Sequence, residues 1–392
     1  MRSLSIFGAT GSVGESAFDL LTRAGGPDAY RTVALTGGRN VARLAEMARA
    51  LQAEVAVIAD ETLLDDLRLA LAGTSTRAAA GEAAIDEAAR MPSDWSLSAI
   101  VGTAGLMPGL RVVERGGTLA LANKESLVAA GPMLMGRARA SGANILPVDS
   151  EHSAVFQCLD SGKLDHVEMV TITASGGAFR DWPVERLLHA TVAEASSHPN
   201  WSMGQRITID SASMFNKALE VIEAHEFFAL PNDRIRVLVH PESIVHAMVT
   251  YADGATLAHM GPPDMRHAIG HALHWPDRAR LPVAALDLAA LGSLTFRAPD
   301  EERWPALRLA REVVDQGGAA GAVLNAAKEQ ALDDFMAGRI RFTDMAAAVE
   351  HALDIGAGRP HFGDSPGTLD AVLDWDRAAR RDAADWAARN GR

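Results

Sequence analysis

Cysteine is almost absent from this sequence, and long apolar runs are absent too. The 392 residues include one cysteine, Cys158, which excludes an intramolecular disulfide. Its apolar neighbours predict a small buried side chain rather than a reactive thiol. No uninterrupted apolar run is long enough to span a bilayer, and the first residues lack the apolar core of a signal peptide. We therefore expect a cytoplasmic protein without a membrane partner.

Basic clusters are also missing. A net charge of −13 without a positively charged patch argues against a nucleic-acid partner. The hydrophobic share of 48% and the charged share of 22% are typical of a soluble enzyme. The length exceeds what one compact core usually holds and predicts two or three domains. An anionic ligand would therefore have to be held by local geometry, against the electrostatic field of a negatively charged protein.

A glycine-rich turn near the start predicts a dinucleotide-binding domain. A strand ending at Phe7 leads into Gly8, Gly11 and Gly14, and a helical segment follows. This order lets backbone N–H groups and a helix N-terminus approach a pyrophosphate. Alternating strands and helices continue through residues 55–59 and 98–102. The pattern predicts a doubly wound parallel sheet.

Two later turns of this region carry polar side chains. After the strand at 31–35 there is no acidic residue for a ribose 2′-hydroxyl, whereas Arg39 can meet a 2′-phosphate, which favours NADPH over NADH. A tight turn with a solvated arginine is the alternative. The strand at 119–122 delivers Asn123, Lys124 and Glu125 to the carboxyl edge, where such sheets bind ligands. Lys124 could hold a substrate oxygen there.

Two carboxylates follow the apolar pair at 145–146. If the strand continues through them, Asp149 and Glu151 project from the same face and converge on one point. Such hard oxygen donors suit Mg²⁺ or Mn²⁺ better than zinc. Glu220 is the best candidate for a third ligand. The sequence thus predicts a divalent-metal site.

Two further segments have the composition of a phosphate site. The strand at 166–173 ends in a turn containing Ser175, whose hydroxyl and neighbouring amides could cradle phosphate. A helix is expected from about Ser211, with Asp210 and Ser211 at its N-cap, where an anion is favoured. Residues 176–204 form a long, weakly periodic stretch of the kind that often serves as a lid, and Trp201 would lie on its underside. A tryptophan that pins a loop to the core is the alternative, and for Trp201 alone it is the more common case. One other face of the helix carries its polar side chains, Ser213, Asn216, Lys217 and Glu220.

The remaining chain predicts a smaller sheet and a helical end. Strands are expected at 234–240, 244–251 and 255–260, and the exposed edge of their sheet could be covered by dimerisation. Alanine-rich amphipathic segments after Trp304 predict helices. We divide the chain into an NADPH-binding domain, a catalytic and dimerisation domain with the lid at about 176–204, a connector and a C-terminal helical domain, at residues 1–148, 149–275, 276–299 and 300–392.

Taken together, several motifs resemble the 1-deoxy-D-xylulose 5-phosphate reductoisomerase family and occur in the order of that family across nearly the whole chain. No single motif would suffice, but the set is specific. They are GATGSVG at 8–14, LANKES at 121–126, PVDSEH at 147–152, ASGG at 174–177, HPNWSMG at 198–204, DSAS at 210–213, NK and EVIE within 216–223, and GPPDMR at 261–266.

The resemblance implies a fold, an activity and a set of site residues. The fold is α/β, with an N-terminal Rossmann-type doubly wound domain, a central α+β catalytic domain and a C-terminal α-helical domain, in a homodimer. The implied NADPH contacts are Thr10, Gly11, Ser12, Val13, Gly38, Arg39, Asn40, Asn123, Glu125 and Gly204. The implied substrate contacts are Lys124, Ser150, Glu151, Ser175, His198, Ser211, Asn216, Lys217 and Glu220. The implied metal ligands are Asp149, Glu151 and Glu220, and the implied catalytic residues are Lys124, Glu151 and His198.

The implied reaction converts 1-deoxy-D-xylulose 5-phosphate, a small phosphorylated sugar, to 2-C-methyl-D-erythritol 4-phosphate in the non-mevalonate isoprenoid pathway. A retro-aldol and aldol isomerisation precedes hydride reduction. The group that moves the hydroxyl proton is left open between Lys124, Glu151 and a water on the metal. The departures from the family pattern are Ala218, where glycine is common, and Lys328, where asparagine is usual.

Two rival functions follow from parts of the pattern. A semialdehyde or acyl-phosphate reductase opens with a similar glycine turn, but it needs a thiol nucleophile, and Cys158 lies in an apolar segment. An NADPH-binding sensor or scaffold without catalysis has no use for Asp149, Glu151 and Glu220 together. The first rival is tested by removing the thiol, and the second by the response of the protein to a divalent metal.

Overall fold

The computed structural model describes residues 1–159, 164–197, 201 and 204–391. The chain forms two compact units. The first contains Met1–Ser126, Leu134–Ser153 and Asp264–Ala284, and the second contains Leu127–Met133, Ala154–Pro263 and the chain from Ala285 onward. None of the helices in the described ranges combines the length and the apolar character needed to cross a bilayer. The division at residues 148, 275 and 299 stays a prediction.

The first unit is built on a seven-stranded parallel sheet of order β4-β3-β2-β1-β5-β6-β7. From β1 the chain winds outward to β4 and then crosses to β5 on the other side of β1. This confirms the doubly wound sheet, and the reversal of winding puts a crevice at the carboxyl ends of β1 and β5. Strands β1 to β7 are Arg2–Phe7, Tyr30–Gly37, Val55–Ile58, Arg77–Ala80, Trp95–Ser98, Thr118–Leu121 and Asn144–Pro147.

The strand expected at residues 98–102 was placed too late. The strand is β5, and residues after Ser98 form a loop in which Val101 is 71% exposed. The serines of β5 are buried and lower its apolar signal, whereas the apolar residues at 100 and 101 lie in the loop. An apolar run alone therefore marked the wrong segment.

The helices of the first unit follow its strands, as a doubly wound fold requires. Residues 264–284 also belong to this unit, and the Trp95 indole nitrogen donates to the Ala272 carbonyl at 3.0 Å. Helix α6 has a kink at Ala130, close to Pro132. Helices α1 to α7 are Ser12–Arg23, Val41–Ala50, Leu64–Ala70, Glu82–Arg90, Leu106–Glu114, Lys124–Ser141 and Ser150–Leu159, the last two being shared between the units.

The second unit contains a four-stranded sheet of order β11-β10-β8-β9. Strands β8 and β9 are parallel, and the other neighbours are antiparallel. The predicted strands near 234–260 are present, but β8 lies between β9 and β10, because the described chain passes through three α-helices before it returns to the sheet as β9. Strands β10 and β11 form a hairpin. Strands β8 to β11 are Val167–Ala174, Ile235–Val239, Val245–Tyr251 and Thr256–Met260.

The helical end of the chain packs on this sheet. One continuous apolar core takes residues from β8, from the helices after it and from the C-terminal helices, including Phe179, Phe215, Trp304 and Leu324. The C-terminal helical region and the α+β region therefore share a core. Helices α8 to α16 are Val192–Ala195, Gln205–Ala212, Phe215–Phe228, Arg266–His274 (in the first unit), Leu288–Leu291, Pro305–Gln316, Ala320–Met336, Asp344–Ala357 and Leu369–Asn390.

Candidate active site

The turn between β1 and α1 needs glycine at two positions. Gly8 has a φ of 94°, and a Cβ there would lie 2.5 Å from the Ala99 oxygen. A Cβ on Gly14 would lie 2.2 Å from the Ala9 oxygen, so α1 packs directly on the turn. The predicted pyrophosphate contacts at residues 10–13 stand at the start of this helix, where exposed N–H groups attract an anion.

The turn after β2 presents an arginine to solvent. The side chain of Arg39 is 78% exposed and forms an ion pair with Asp60. Asn40 caps α2, since its side-chain oxygen accepts from the Arg43 N–H at 3.1 Å. A Cβ on Gly38 would meet nothing within 4 Å, so this stretch of backbone is open to a ligand. The turn thus has the positive charge and the access that a 2′-phosphate requires.

Asn123 anchors the carboxyl edge of the sheet. Its side-chain oxygen accepts from the Ser126 N–H at 3.0 Å, which caps α6. Its amide nitrogen lies 2.6 Å from the Ile100 carbonyl, 3.0 Å from the Gly102 carbonyl and 2.8 Å from the Glu125 carboxylate. These bonds tie the loop after β5 to the first turn of α6. They fix the backbone that carries the next residue, Lys124.

Lys124 pairs with the first of the two predicted metal-binding carboxylates. Its ammonium nitrogen lies 2.8 Å from Asp149 Oδ2, and His152 Nδ1 lies 3.6 Å from the same oxygen. Burial raises the pKa of Asp149, but the charge of Lys124 and the contact with His152 outweigh it and hold that pKa well below its ordinary value. Asp149 is therefore an anion at neutral pH, as a metal ligand must be.

The extended strand expected through Asp149 and Glu151 was wrong. Strand β7 ends at Pro147, and α7 begins at Ser150, so Glu151 lies in the first turn of a helix. Asp149 Oδ1 accepts from the Ser150 N–H at 2.8 Å, and the Ser150 hydroxyl donates to Glu151 at 2.5 Å. A helix start favours such acceptors because its N–H groups are unpaired. The turn still brings carboxylate oxygens of Asp149 and Glu151 within 4.8 Å of each other.

The second unit has a tight turn after β8. Gly176 and Gly177 have φ values of 84° and 64°, and the Ser175 hydroxyl accepts from the Gly177 N–H at 3.1 Å. Arg180 donates to the Ser175 carbonyl at 2.8 Å. A Cβ on Gly177 would lie 2.7 Å from the Ser211 oxygen, so the turn packs on the segment that carries Ser211. The two predicted phosphate segments are therefore neighbours.

The single helix expected from about Ser211 was also wrong. Asp210 and Ser211 lie in the last turn of α9, which ends at Ala212, so they are not an N-cap. Met214 is left-handed, with a φ of 61°, and separates α9 from α10. The Trp304 indole donates to the Ala212 carbonyl at 3.2 Å and satisfies a group that a continuous helix would have used. That tryptophan lies 92 residues away in sequence, which is why local patterns did not show the break.

Three polar side chains meet on α10. Asn216 donates to Glu220 Oε1 at 2.6 Å, and the Lys217 ammonium pairs with the other oxygen of the same carboxylate. Lys217 and Glu220 are buried, with exposures of 3% and 1%. The predicted common face of these residues is present. It is a buried charged site in the first turns of α10 rather than a solvated surface.

The lid residues are partly described. His198 lies outside the described residues, and so do the other members of its motif at 199, 200, 202 and 203. The Trp201 ring lies 6.2 Å from the His246 ring in an edge-on arrangement. Gly204 stands immediately before α9, with no atom within 4 Å of a Cβ placed there.

Comparison with known proteins decides the family. The family model described as 1-deoxy-D-xylulose 5-phosphate reductoisomerase matches residues 4–131, and two models of its C-terminal domains match residues 145–228 and 260–382. The chain is 74% identical to the 1-deoxy-D-xylulose 5-phosphate reductoisomerase of Paracoccus denitrificans over 386 residues, which cover 98% of this chain and 99% of the relative. The chain belongs to the 1-deoxy-D-xylulose 5-phosphate reductoisomerase family.

Solved structures of reductoisomerases have the same fold. The enzyme from Zymomonas mobilis, in complex with NADPH, is 46% identical with a TM-score of 0.92, and the match covers 98% of this chain and 99% of that one. A reductoisomerase in complex with NADPH, fosmidomycin and magnesium is 38% identical with a TM-score of 0.93, and the match covers both chains completely. The resemblance read from the motifs is confirmed.

Two histidines near the reductoisomerase motifs were not selected from the sequence. His152 is buried beside Asp149, three residues after it on α7. Asp149 stands immediately before α7, and a residue three positions further along falls on the same side of the helix start, so the spacing was an available signal. His246 is buried on β10 and faces Trp201. That contact joins residues 45 positions apart (from 201 to 246), and no local pattern indicates it.

Proposed function

We propose that this chain catalyses the NADPH- and divalent-metal-dependent conversion of 1-deoxy-D-xylulose 5-phosphate to 2-C-methyl-D-erythritol 4-phosphate in the non-mevalonate isoprenoid pathway. The observation that carries the proposal is the pair of carboxylates, Asp149 and Glu151, within 4.8 Å of each other at the carboxyl edge of a dinucleotide-type sheet. Lys124 stands beside them. A solved reductoisomerase structure is a complex with NADPH and magnesium.

Asp149, Glu151 and Glu220 are the metal ligands in this proposal. All three offer carboxylate oxygens, the donors that Mg²⁺ and Mn²⁺ prefer. Each is held by hydrogen bonds or ion pairs within its own unit, so its orientation is set before a cation binds. A bound divalent cation supplies Lewis-acid polarisation of the substrate's ketone and adjacent hydroxyl.

The phosphate of the substrate is held by the second unit. We assign its contacts to Ser175, Ser211, Asn216 and Lys217, because the turn after β8 packs on the end of α9 and a buried lysine stands on α10. The other assigned substrate contacts are Lys124, Ser150, Glu151, His198 and Glu220. With the phosphate fixed, the two fragments of a broken C3–C4 bond stay together, which favours their recombination.

Proton transfer belongs to the group around Asp149. Lys124 carries protons 2.8 Å from that carboxylate, and Glu151 offers a second acceptor in the same turn. We assign the movement of the hydroxyl proton to these two side chains, and we assign His198 to the substrate face of the lid. Closure of the lid over the site keeps water from the reactive intermediate.

The cofactor is NADPH, which supplies the hydride when bound. The start of α1 faces its pyrophosphate, and Arg39 faces its 2′-phosphate. The assigned contacts are Thr10, Gly11, Ser12, Val13, Gly38, Arg39, Asn40, Asn123, Glu125 and Gly204.

The Arg39→Met variant tests the choice of cofactor. We expect the KM for NADPH to rise about tenfold, because one charged hydrogen bond to the 2′-phosphate is lost. The low kcat/KM with NADH should stay the same. Steady-state kinetics with both cofactors measures this difference. Arg31→Met is the matched control, since Arg31 is an exposed arginine paired with Glu54 in the same unit. Equal losses with NADPH and NADH would show that Arg39 shapes the turn without contacting the 2′-phosphate.

The assembly is a homodimer in this proposal. Strand β11 is the edge of its sheet, its first three residues are exposed, and Leu257 among them is 40% exposed. An open edge with an apolar side chain invites pairing with a second copy. We place the reaction in the cytoplasm.

The thiol-dependent rival is tested by Cys158→Ala. Cys158 is buried in the core of the second unit, and burial raises the pKa of its thiol, so little thiolate forms. We expect kcat/KM to stay within about threefold of wild type, because no covalent intermediate forms on sulfur. An activity loss of several hundredfold in a folded protein would instead favour the semialdehyde or acyl-phosphate reductase.

The proposed reaction is tested by its product. Incubation with 1-deoxy-D-xylulose 5-phosphate, NADPH and Mg²⁺ should consume one NADPH for each molecule of 2-C-methyl-D-erythritol 4-phosphate, identified by phosphorus and carbon NMR. NADPH that binds without being consumed would favour the sensor.

A further inference from the structure

A buried ion pair joins the C-terminal helices to the end of α9. Lys328 on α14 places its ammonium nitrogen 3.0 Å from Asp210 Oδ2. The two side chains are 3% and 9% exposed, so both charges lie almost entirely outside solvent. Helix α14 contacts both α9 and α10. Asn325, one turn earlier on α14, is fully buried as well, so this helix face is polar where an apolar one would be expected.

Asp210 places a carboxylate next to the proposed phosphate site. It directly precedes Ser211, to which the proposed function assigns a phosphate contact. The turn carrying Ser175 packs on the same helix end, since a Cβ on Gly177 would lie 2.6 Å from Ala212 Cα. A carboxylate charge next to a bound phosphate repels it, and the repulsion is strong where water is excluded.

We propose that Lys328 is a positioning residue for the substrate phosphate, acting through Asp210 by cancelling the charge of that carboxylate. The inference rests on the proposed function, because it concerns the same phosphate. It gives the C-terminal helices a role in substrate binding, because Lys328 on α14 neutralises the negative charge at the end of α9.

Stability alone is a poor explanation for this pair. Removing two charges from water costs about as much as their attraction returns, and an apolar pair of similar volume is often equally stable. A role in binding leaves a different signature. If the pair acts in binding, the affinity for phosphate follows the net charge at residues 210 and 328. If the pair is only structural, its variants change thermal stability, and the affinity for phosphate does not follow that charge.

Three variants vary the net charge of the pair. Lys328→Met removes the cation and keeps the Asp210 carboxylate. Asp210→Asn combined with Lys328→Met gives a neutral pair. Lys328→Arg keeps both original charges. All are assayed in the same buffer, at one pH and one ionic strength. The measurements are the KM for 1-deoxy-D-xylulose 5-phosphate, the KM for NADPH and the inhibition constant of inorganic phosphate.

For Lys328→Met we expect the substrate KM and the phosphate inhibition constant to rise about tenfold, with kcat and the KM for NADPH within about threefold of wild type. The neutral pair and the arginine variant should both return the two phosphate-dependent constants to within about threefold of wild type. Arg380→Met is the control. It removes a cation that bonds Asp376 at 2.8 Å among the C-terminal helices, and it should lower Tm without changing the substrate KM.

Unchanged phosphate constants in Lys328→Met, or a neutral pair that keeps the full defect, would overturn the inference. If Lys328→Met does not fold, Lys328→Gln takes its place, because it removes the same charge and keeps a polar side chain. Phosphate inhibition about tenfold weaker than in the neutral pair supports the inference, and equal inhibition in the two variants contradicts it. The wild-type assay separates the two proposals. A wild-type protein that does not turn over the sugar phosphate contradicts the proposed function, whereas an active wild type with an unaffected Lys328→Met contradicts only the inference.

Discussion

Asp149→Asn should lower kcat/KM for 1-deoxy-D-xylulose 5-phosphate by about a thousandfold, which corresponds to about 4 kcal/mol of transition-state stabilisation. The substitution removes one anionic ligand from the proposed metal site while keeping the size of the side chain. It also removes the carboxylate charge 2.8 Å from the Lys124 ammonium, so the local charge becomes more positive and repels a divalent cation. The rate of NADPH oxidation at saturating Mg²⁺ measures the loss.

The control for this prediction is Asp65→Asn. Its side chain is 91% exposed in the same unit, so an identical chemical change there should leave kcat/KM unaltered. Calorimetric titration adds a reading independent of turnover, since Asp149→Asn should bind Mn²⁺ more weakly and NADPH equally well. A variant that keeps full turnover in Mg²⁺ would remove Asp149 from the metal site.

Lys217→Met should lower kcat/KM by about a hundredfold, mostly through KM, because a buried charged hydrogen bond to the substrate phosphate is worth about 3 kcal/mol. Lys217 is buried and pairs with Glu220, which places a positive charge in the first turn of α10. Steady-state kinetics and inhibition by inorganic phosphate both report the change.

Arg308→Met serves as the comparison for Lys217. It removes a cation from a helix surface in the same unit, where Arg308 pairs with Glu312. We expect its kinetics to equal those of wild type. If Lys217→Met lowers kcat and leaves the KM and the phosphate inhibition constant unchanged, then Lys217 acts on the proposed metal ligand Glu220 and has no direct contact with the phosphate.

Local sequence patterns located the dinucleotide-binding unit because its signals are local. The glycines of the first turn are required by contacts with nearby backbone, such as Gly14 on Ala9. The doubly wound parallel sheet follows from alternating strands and helices, and this prediction was confirmed. The strand β5 was misplaced because its alternate residues are buried serines, which do not look apolar.

The second unit was harder to predict because distant contacts decide its shape. At the break between α9 and α10, the Trp304 indole donates a hydrogen bond to the Ala212 carbonyl. The order of the small sheet depends on a parallel pairing between β8 and β9. The ion pair of Asp210 and Lys328 joins residues 118 positions apart. Spacing rules apply within one element and give no information on such partners.

The candidate site illustrates both cases. The convergence of Asp149 and Glu151 was expected correctly, although a helix start produces it and not a strand. Ser211 was placed at the wrong end of a helix, and yet its segment packs on the turn of Ser175. The residue types of the site follow from the chemistry of a metal and a phosphate, whereas the backbone that presents them depends on tertiary packing.

The most direct test of the account is the metal dependence of turnover. Protein treated with a chelator and then freed of it is mixed with NADPH and 1-deoxy-D-xylulose 5-phosphate, and NADPH absorbance is followed before and after addition of Mg²⁺ or Mn²⁺. We expect no oxidation before the metal, rapid oxidation after it, and a stop when chelator is added again. Oxidation that proceeds equally with and without the metal would contradict the central claim that Asp149, Glu151 and Glu220 hold a catalytic cation.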